Sequence, residues 1–121
     1  MALPEASKIE QFMHEQVNAW NSSDRDRFFT AYEKIAPGGI EIEYVGGVKG
    51  EGAAILKGMW SQQQAKINIE EKALVVVGNE AVAHNHNVVK GTDMIIDTIE
   101  HYTFAEDGSL FIRYFIKAPQ G

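Results

Sequence analysis

After residue 65 the apolar residues stop recurring every three to four positions and begin to alternate every second one. This change of period constrains the fold more than any other feature of the chain, because side chains alternate across a strand and recur every 3.6 residues on a helix. The stretches "INIEEKALVVVG", "EAVAHNHNVV", "DMIIDTIEHYTF" and "SLFIRYFIK" read as four strands. They are separated by "GN", "KGTD" and "AEDG", short connections that each contain glycine. Turns this short oblige neighbouring strands to run antiparallel, so residues 67 to 117 predict a four-strand meander.

The first half reads differently. Ile9, Phe12, Met13, Val17 and Trp20 fall at helical spacing behind Ser7 and Glu10, which have capping-box spacing, so a helix is predicted over residues 8 to 20. "NSSD" breaks it, and Ser23 or Asp24 can cap a second helix carrying Phe28, Phe29, Tyr32 and Ile35. Pro37, Gly38 and Gly39 end that helix. "IEIEYV" alternates and reads as a short strand over residues 40 to 45, followed by a glycine-rich connection. A third helix is expected over residues 51 to 65, with Ile55, Leu56, Met59 and Trp60 as its apolar stripe. Helices grouped before an antiparallel sheet indicate an α+β fold, one face of the sheet covered by helices. "APGGI" is the longest loose stretch and suits a turn rather than a boundary, so residues 1 to 121 are expected to form a single domain.

Composition excludes several classes of function. The net charge of −6 is wrong for nucleic acid, whose phosphates need a basic surface, and for an anionic membrane surface. With no cysteine, there is neither a disulfide framework nor a thiolate nucleophile or ligand. The N-terminal stretch lacks a basic, then apolar, secretory pattern, and no run approaches the ~18 apolar residues of a membrane span. A cytoplasmic protein is expected.

Polar residues in apolar surroundings are the candidate site. Gln16 lies within the apolar stripe of the first helix, four positions after Phe12 and four before Trp20. Glu100 shares a strand face with Tyr102 and Phe104; if that face is the inner one, desolvation raises its pKa and its acid form can donate to an oxyanion. Glu41 and Glu43 precede the glycine-rich connection, either as solvated carboxylates or as a general base at a pocket mouth. His84 and His86 form an H-x-H pair on one strand face, a spacing that can hold a metal. The sequence shows no third ligand at convincing spacing, so no metal is expected. Asn85 and Asn87 occupy the opposite face, and Arg113 sits among aromatics, where pairing with a neighbouring strand's carboxylate is the simplest role.

These patterns together resemble the nuclear transport factor 2-like superfamily, and within it the SnoaL-like (polyketide-cyclase-like) and ketosteroid-isomerase-like proteins. "VNAWNSSDRDRFFTAY" resembles the first two helices and the break between them, "GEGAAILKGMW" the start of the third helix, and "VVVGNEAVAHNH" and "IEHYTFAEDGSL" the later strands. The resemblance spans nearly the whole chain. It implies a cone-shaped α+β barrel, three N-terminal helices packed on a curved, mainly antiparallel sheet enclosing a deep apolar pocket. Ketosteroid isomerases combine a carboxylate base with an oxyanion hole that includes a protonated aspartate. Residue by residue, the resemblance puts Glu100 at the acid, Gln16 at the tyrosine donor, and Glu43 within one residue of the base, with Tyr44 facing inward instead if the register shifts. The expected pocket lining is Tyr44, Trp60, Asn85, Asn87, Tyr102, Phe104 and Phe115. The implied activity is proton transfer (enolization) on a small, largely apolar carbonyl compound, without a cofactor. The alternative is a non-catalytic ligand-binding or assembly module of the same fold. A homodimer is also expected, from the resemblance and from Ile95, Ile99 and Phe111 on the second face of the sheet.

Overall fold

A computed structural model describes residues 2–117. The chain runs α1 (Ala6–Asn21), α2 (Arg25–Ile35), β1 (Gly39–Tyr44), β2 (Lys49–Glu51), α3 (Gly52–Gln63), β3 (Ile67–Val77), β4 (Glu80–Val89), β5 (Ile95–Phe104) and β6 (Ser109–Ile116). The strands form one six-stranded curved sheet in the order β2-β1-β6-β5-β4-β3. The β3–β6 meander is antiparallel throughout. Strand β1 pairs parallel to β6, in register from Gly39 opposite Ser109 to Tyr44 opposite Tyr114, so the sheet is mixed. No helix among the described residues is long and apolar enough to cross a membrane.

Two local expectations change, and one open choice is settled. Helix α1 starts at Ala6: the Glu5 carbonyl accepts from the amides of Lys8 and Ile9, which places Ser7 inside the first turn and leaves the Ser7–Glu10 capping box unformed. Helix α2 is capped by Asp24, whose Oδ1 accepts from the Arg27 amide at 3.2 Å. The connection after β1 is not an open loop. It doubles back through Gly46 and Gly47 into β2, with the Tyr44 amide donating to the Val48 carbonyl at 2.7 Å. Glu51 then caps α3 with both carboxylate oxygens, accepting from the Ala53 and Ala54 amides at 3.0 and 2.9 Å.

The core lies between α1, α2 and the inner face of the sheet. Ile9, Phe12, Met13, Val17 and Trp20 are the buried stripe of α1 and pack over the inward residues of β4, β5 and β6. The Phe12 ring meets Tyr32, Tyr102 and Phe104 edge-on. Two polar residues at the C-terminal end of α1 tie it to the edge strand β3. Trp20 Nε1 donates to the Ile67 carbonyl at 3.0 Å, and the Asn21 amide both donates to and accepts from the Ile69 backbone, at 2.8 and 2.9 Å. This tether fixes which face of α1 looks at the sheet, and so where Gln16 points.

Candidate functional site

Alternation on β4 and β5 assembles the site. On β5 Thr98, Glu100 and Tyr102 point inward between Ile96 and Phe104 and are buried; on β4 Ala81, Ala83, Asn85 and Asn87 point inward, and of these only Asn87 is partly exposed. The register sets Ala83 opposite Glu100 and Ala81 opposite Tyr102, small residues that leave room for the long ones. Asn85 lies opposite Thr98, diagonal to Glu100.

Glu100 is 8% exposed and accepts three hydrogen bonds. Tyr102 OH donates to its Oε1 at 2.9 Å, while Asn85 Nδ2 and Thr98 Oγ1 donate to Oε2 at 3.0 and 3.2 Å. Thr98 Oγ1 in turn accepts from Asn87 Nδ2 at 3.0 Å, and the same nitrogen donates to the Ile96 carbonyl. Burial pushes the Glu100 carboxyl above the usual carboxylate range; the three donors pull it down and the charge of Glu71 adds to the rise, but desolvation dominates. In the acid form the hydroxyl of Thr98 or Tyr102 can turn from donating to accepting, so the added proton keeps a partner.

Phenols surround this carboxyl. Burial first, and the nearby Glu100 charge second, raise Tyr102 well above the ordinary phenol range; burial also raises Tyr32, Tyr44 and Tyr114. All four therefore present neutral hydroxyls. Tyr32 OH donates to Gln16 Oε1 at 3.3 Å, which orients the glutamine amide. Asn85 Oδ1 is buried without a hydrogen-bond partner among the described residues.

A hollow of about 300 Å³ opens beside this network. Gln16, Tyr32, Tyr44, Asn87, Thr98, Glu100 and Tyr114 supply its polar side; Trp20, Phe28, Met59, Ile67, Ile69, Ile96 and Ile116 supply much of its apolar wall. The structure thus brings Gln16 and Glu100 to one space. Tyr44 and Asn87 also face it, and Asn85 and Tyr102 reach it through their bonds to Glu100.

Other expected site residues lie elsewhere. Glu43 is on the outer face of β1, where Arg113 Nε, directly opposite on β6, donates to its Oε1 at 3.0 Å. Alternation sends Ile42 and Tyr44 inward, so Glu43 cannot reach the hollow. Phe115 is outward for the same reason: Ile112 and Tyr114 are the inward residues of β6, and Phe115 is 38% exposed beneath the Arg113 guanidinium. Trp60 packs behind the wall against Trp20 and Phe28, at 5.4 and 5.1 Å between ring centres, while its neighbours Met59 and Gln63 face the space. Phe104 is two residues, about 7 Å, beyond Tyr102, in the solid core against Phe12. His84 and His86 point outward.

Sequence reasoning missed Tyr32, Tyr114, Met59 and Gln63. Tyr32 and Tyr114 carried a signal, being the polar-tipped members of apolar stripes, four positions after Phe28 and two after Ile112.

No protein-family model matches the sequence, and no curated protein matches it. Solved structures do. An NTF2-like protein from Burkholderia xenovorans is 16% identical over 92% of this chain and 90% of that one, with a TM-score of 0.61. A protein provisionally assigned as a ketosteroid isomerase, from Kribbella flavida, is 9% identical over 95% and 82%, with a TM-score of 0.67. An LEH-like epoxide hydrolase from M. tuberculosis is 13% identical over 94% and 86%, with a TM-score of 0.66. At these identities the likeness is one of fold. The chain has the nuclear transport factor 2-like fold, the α+β architecture that the sequence resembles.

Proposed function

We propose that this is a ketosteroid-isomerase-like enzyme that binds a small, largely apolar carbonyl compound in the hollow, taken as the pocket of a cone-shaped barrel, and acts on it by proton transfer without a cofactor. One observation carries the reading: a carboxyl group buried in the wall of an apolar hollow, its pKa raised by desolvation. Glu100 acts as the acid, donating from its neutral form to the ligand's carbonyl oxygen. The Gln16 amide, held through its oxygen by Tyr32, offers its nitrogen as a second donor. Polarising the carbonyl acidifies the adjacent C–H. Because Glu43 lies on the other face, the acceptor of that proton is water rather than a second carboxylate.

The experiment is hydrogen–deuterium exchange at the α carbon of small cyclic ketones, comparing wild type with Glu100→Gln, Gln16→Leu and Glu43→Gln. Loss of general acid catalysis lowers the rate by ~10²-fold or more. Glu100→Gln is expected to show that loss, Gln16→Leu a smaller one and Glu43→Gln none. Full exchange in Glu100→Gln would remove the mechanism.

A second reading is a non-catalytic binding module. It is favoured by Glu100 being the only carboxyl among the described residues that line the hollow. It predicts saturable ketone binding with no protein-dependent exchange. In either reading a homodimer is proposed through the outer face of the sheet, where Ile95, Ile99 and Phe115 are exposed. Light scattering should return twice the 13.5 kDa chain mass, and a single-chain mass would reject the dimer.

A further inference from the structure

The outer face of the sheet carries a group of side chains that the hollow does not use. His84 and His86 project outward from β4, two residues apart on one face. The β4–β5 register sets Asp97 directly opposite His86 and diagonal to His84. Its Oδ1 lies 2.9 Å from His84 Nε2 and 3.1 Å from His86 Nε2. The three ligand atoms sit within 4.8 Å of one another.

We propose that His84, His86 and Asp97 form a binding site for a divalent late transition-metal ion of the zinc class. Two imidazole nitrogens and one carboxylate oxygen are the donor set of three-ligand zinc sites, which leave a further position for water. In the single chain the cluster is half-exposed, so an ion can enter from solvent before the proposed dimer covers this face. Beside it an outer hollow of about 360 Å³, lined in part by His84, Asp97, Ile99 and Phe115, gives room for the remaining ligands. The sheet backbone holds the three side chains together without the ion, so little ordering is needed on binding. Lys117 is the cation that opposes the site, through its charge near Asp97. The sequence showed two of the ligands. The third was hidden because it arrives by strand register rather than by spacing.

The ion would bridge β4 to β5 on the face opposite Glu100, so the site is independent of the proposed chemistry. The test is calorimetric titration of the untagged full chain with zinc chloride at neutral pH, supported by the absorption spectrum of the cobalt(II) form. One ion per chain is expected. His86→Gln and Asp97→Asn should each weaken binding by more than the ~10-fold that loss of an outer-shell partner costs. His101→Gln, which removes a histidine paired with Glu80 elsewhere on this face, should bind as wild type does. In the unaltered chain, NMR should show the His84 and His86 ring signals moving at one equivalent while those of His14 and His101 stay, a readout that needs no variant to fold. Absence of saturable binding, binding that His86→Gln and Asp97→Asn leave unchanged, or ring shifts at His14 or His101 instead would overturn the proposal.

Discussion

Replacing Glu100 by glutamine keeps the side-chain shape and removes its charge, and the surrounding network sets the size of the effect. Three donors meet the carboxyl at 2.9, 3.0 and 3.2 Å. A glutamine oxygen in the Oε2 position still accepts from Asn85 and Thr98. Its amide nitrogen, in the Oε1 position, donates to Tyr102 OH once that hydroxyl rotates. Bonds to an ionised acceptor are worth about 1.5–3 kcal/mol and neutral ones about 1, so over three bonds the variant gives up roughly 1.5–6 kcal/mol of hydrogen bonding relative to the ionised form. Against this stands relief of carboxylate desolvation, worth several kcal/mol, on the order of the loss or larger. The raised pKa says that desolvation outweighs the hydrogen bonds in setting the balance between the two protonation states.

The decisive observable is therefore the pH dependence. The folded-state pKa of Glu100 lies above its unfolded value, so its neutral form contributes stability that is fully present below the unfolded pKa. That contribution is lost as pH rises through the folded pKa, at about 1.4 kcal/mol per unit of elevation. Glutamine does not titrate. Stability of wild type minus that of Glu100→Gln should thus decline from about pH 4.5 upward and then level off. Titrating groups that do not interact with Glu100 are shared and cancel in the difference. Urea unfolding followed by the fluorescence of Trp20 and Trp60 measures it, with midpoints compared at a common slope. A difference that is flat across this range, or that grows with pH, would show that burial does not raise Glu100 and would refute the reasoning.

Tyr102→Phe removes the donor to Glu100 Oε1, so it should raise the Glu100 pKa further, read by carboxyl-carbon NMR titration, and cost about 1–2 kcal/mol. Glu43→Gln breaks a part-exposed pair with Arg113 and should cost no more than about 1 kcal/mol in thermal or urea unfolding. Gly52→Ala places a methyl group against Ile40 Cγ2 and 2.8 Å from the Ile40 carbonyl oxygen, so α3 must shift away from β1. The expected cost is about 1–3 kcal/mol, visible as a lower melting temperature.

The fold was legible where local signals suffice. Alternation and the glycine-containing turns marked β3 to β6, and the apolar stripes marked three helices. What stayed hidden depends on partners distant in sequence. Strand β2 is three residues long, and "KGE" has neither alternation nor strand-favouring residues; it exists because β1 offers a free edge and the turn at Gly46 and Gly47 returns the chain to it. The parallel pairing of β1 with β6 joins residues about seventy positions apart and leaves no trace in either segment. Ser7 has the composition of a cap, but the Glu5 carbonyl begins the helix first.

The site was legible to the extent that parity was anchored by buried neighbours. Glu100, Asn85 and Asn87 fall on one face because β4 and β5 are long and pair in a continuous register. Glu43 depended on a short strand aligned across a glycine-rich connection, and a slip of one residue moves a side chain to the opposite face. The consequence is chemical rather than cosmetic. With Glu43 inward, the hollow would hold two carboxylates, acid and base. With Tyr44 inward, it holds one carboxyl facing several phenols, and Glu43 instead fixes Arg113 on the outside. The same parity on β5 that buries Glu100 turns Asp97 outward toward two histidines. One strand therefore presents an acidic group to each face, raised by desolvation inside at Glu100 and lowered by the imidazoles outside at Asp97. The reading of this protein's chemistry rests on that alternation.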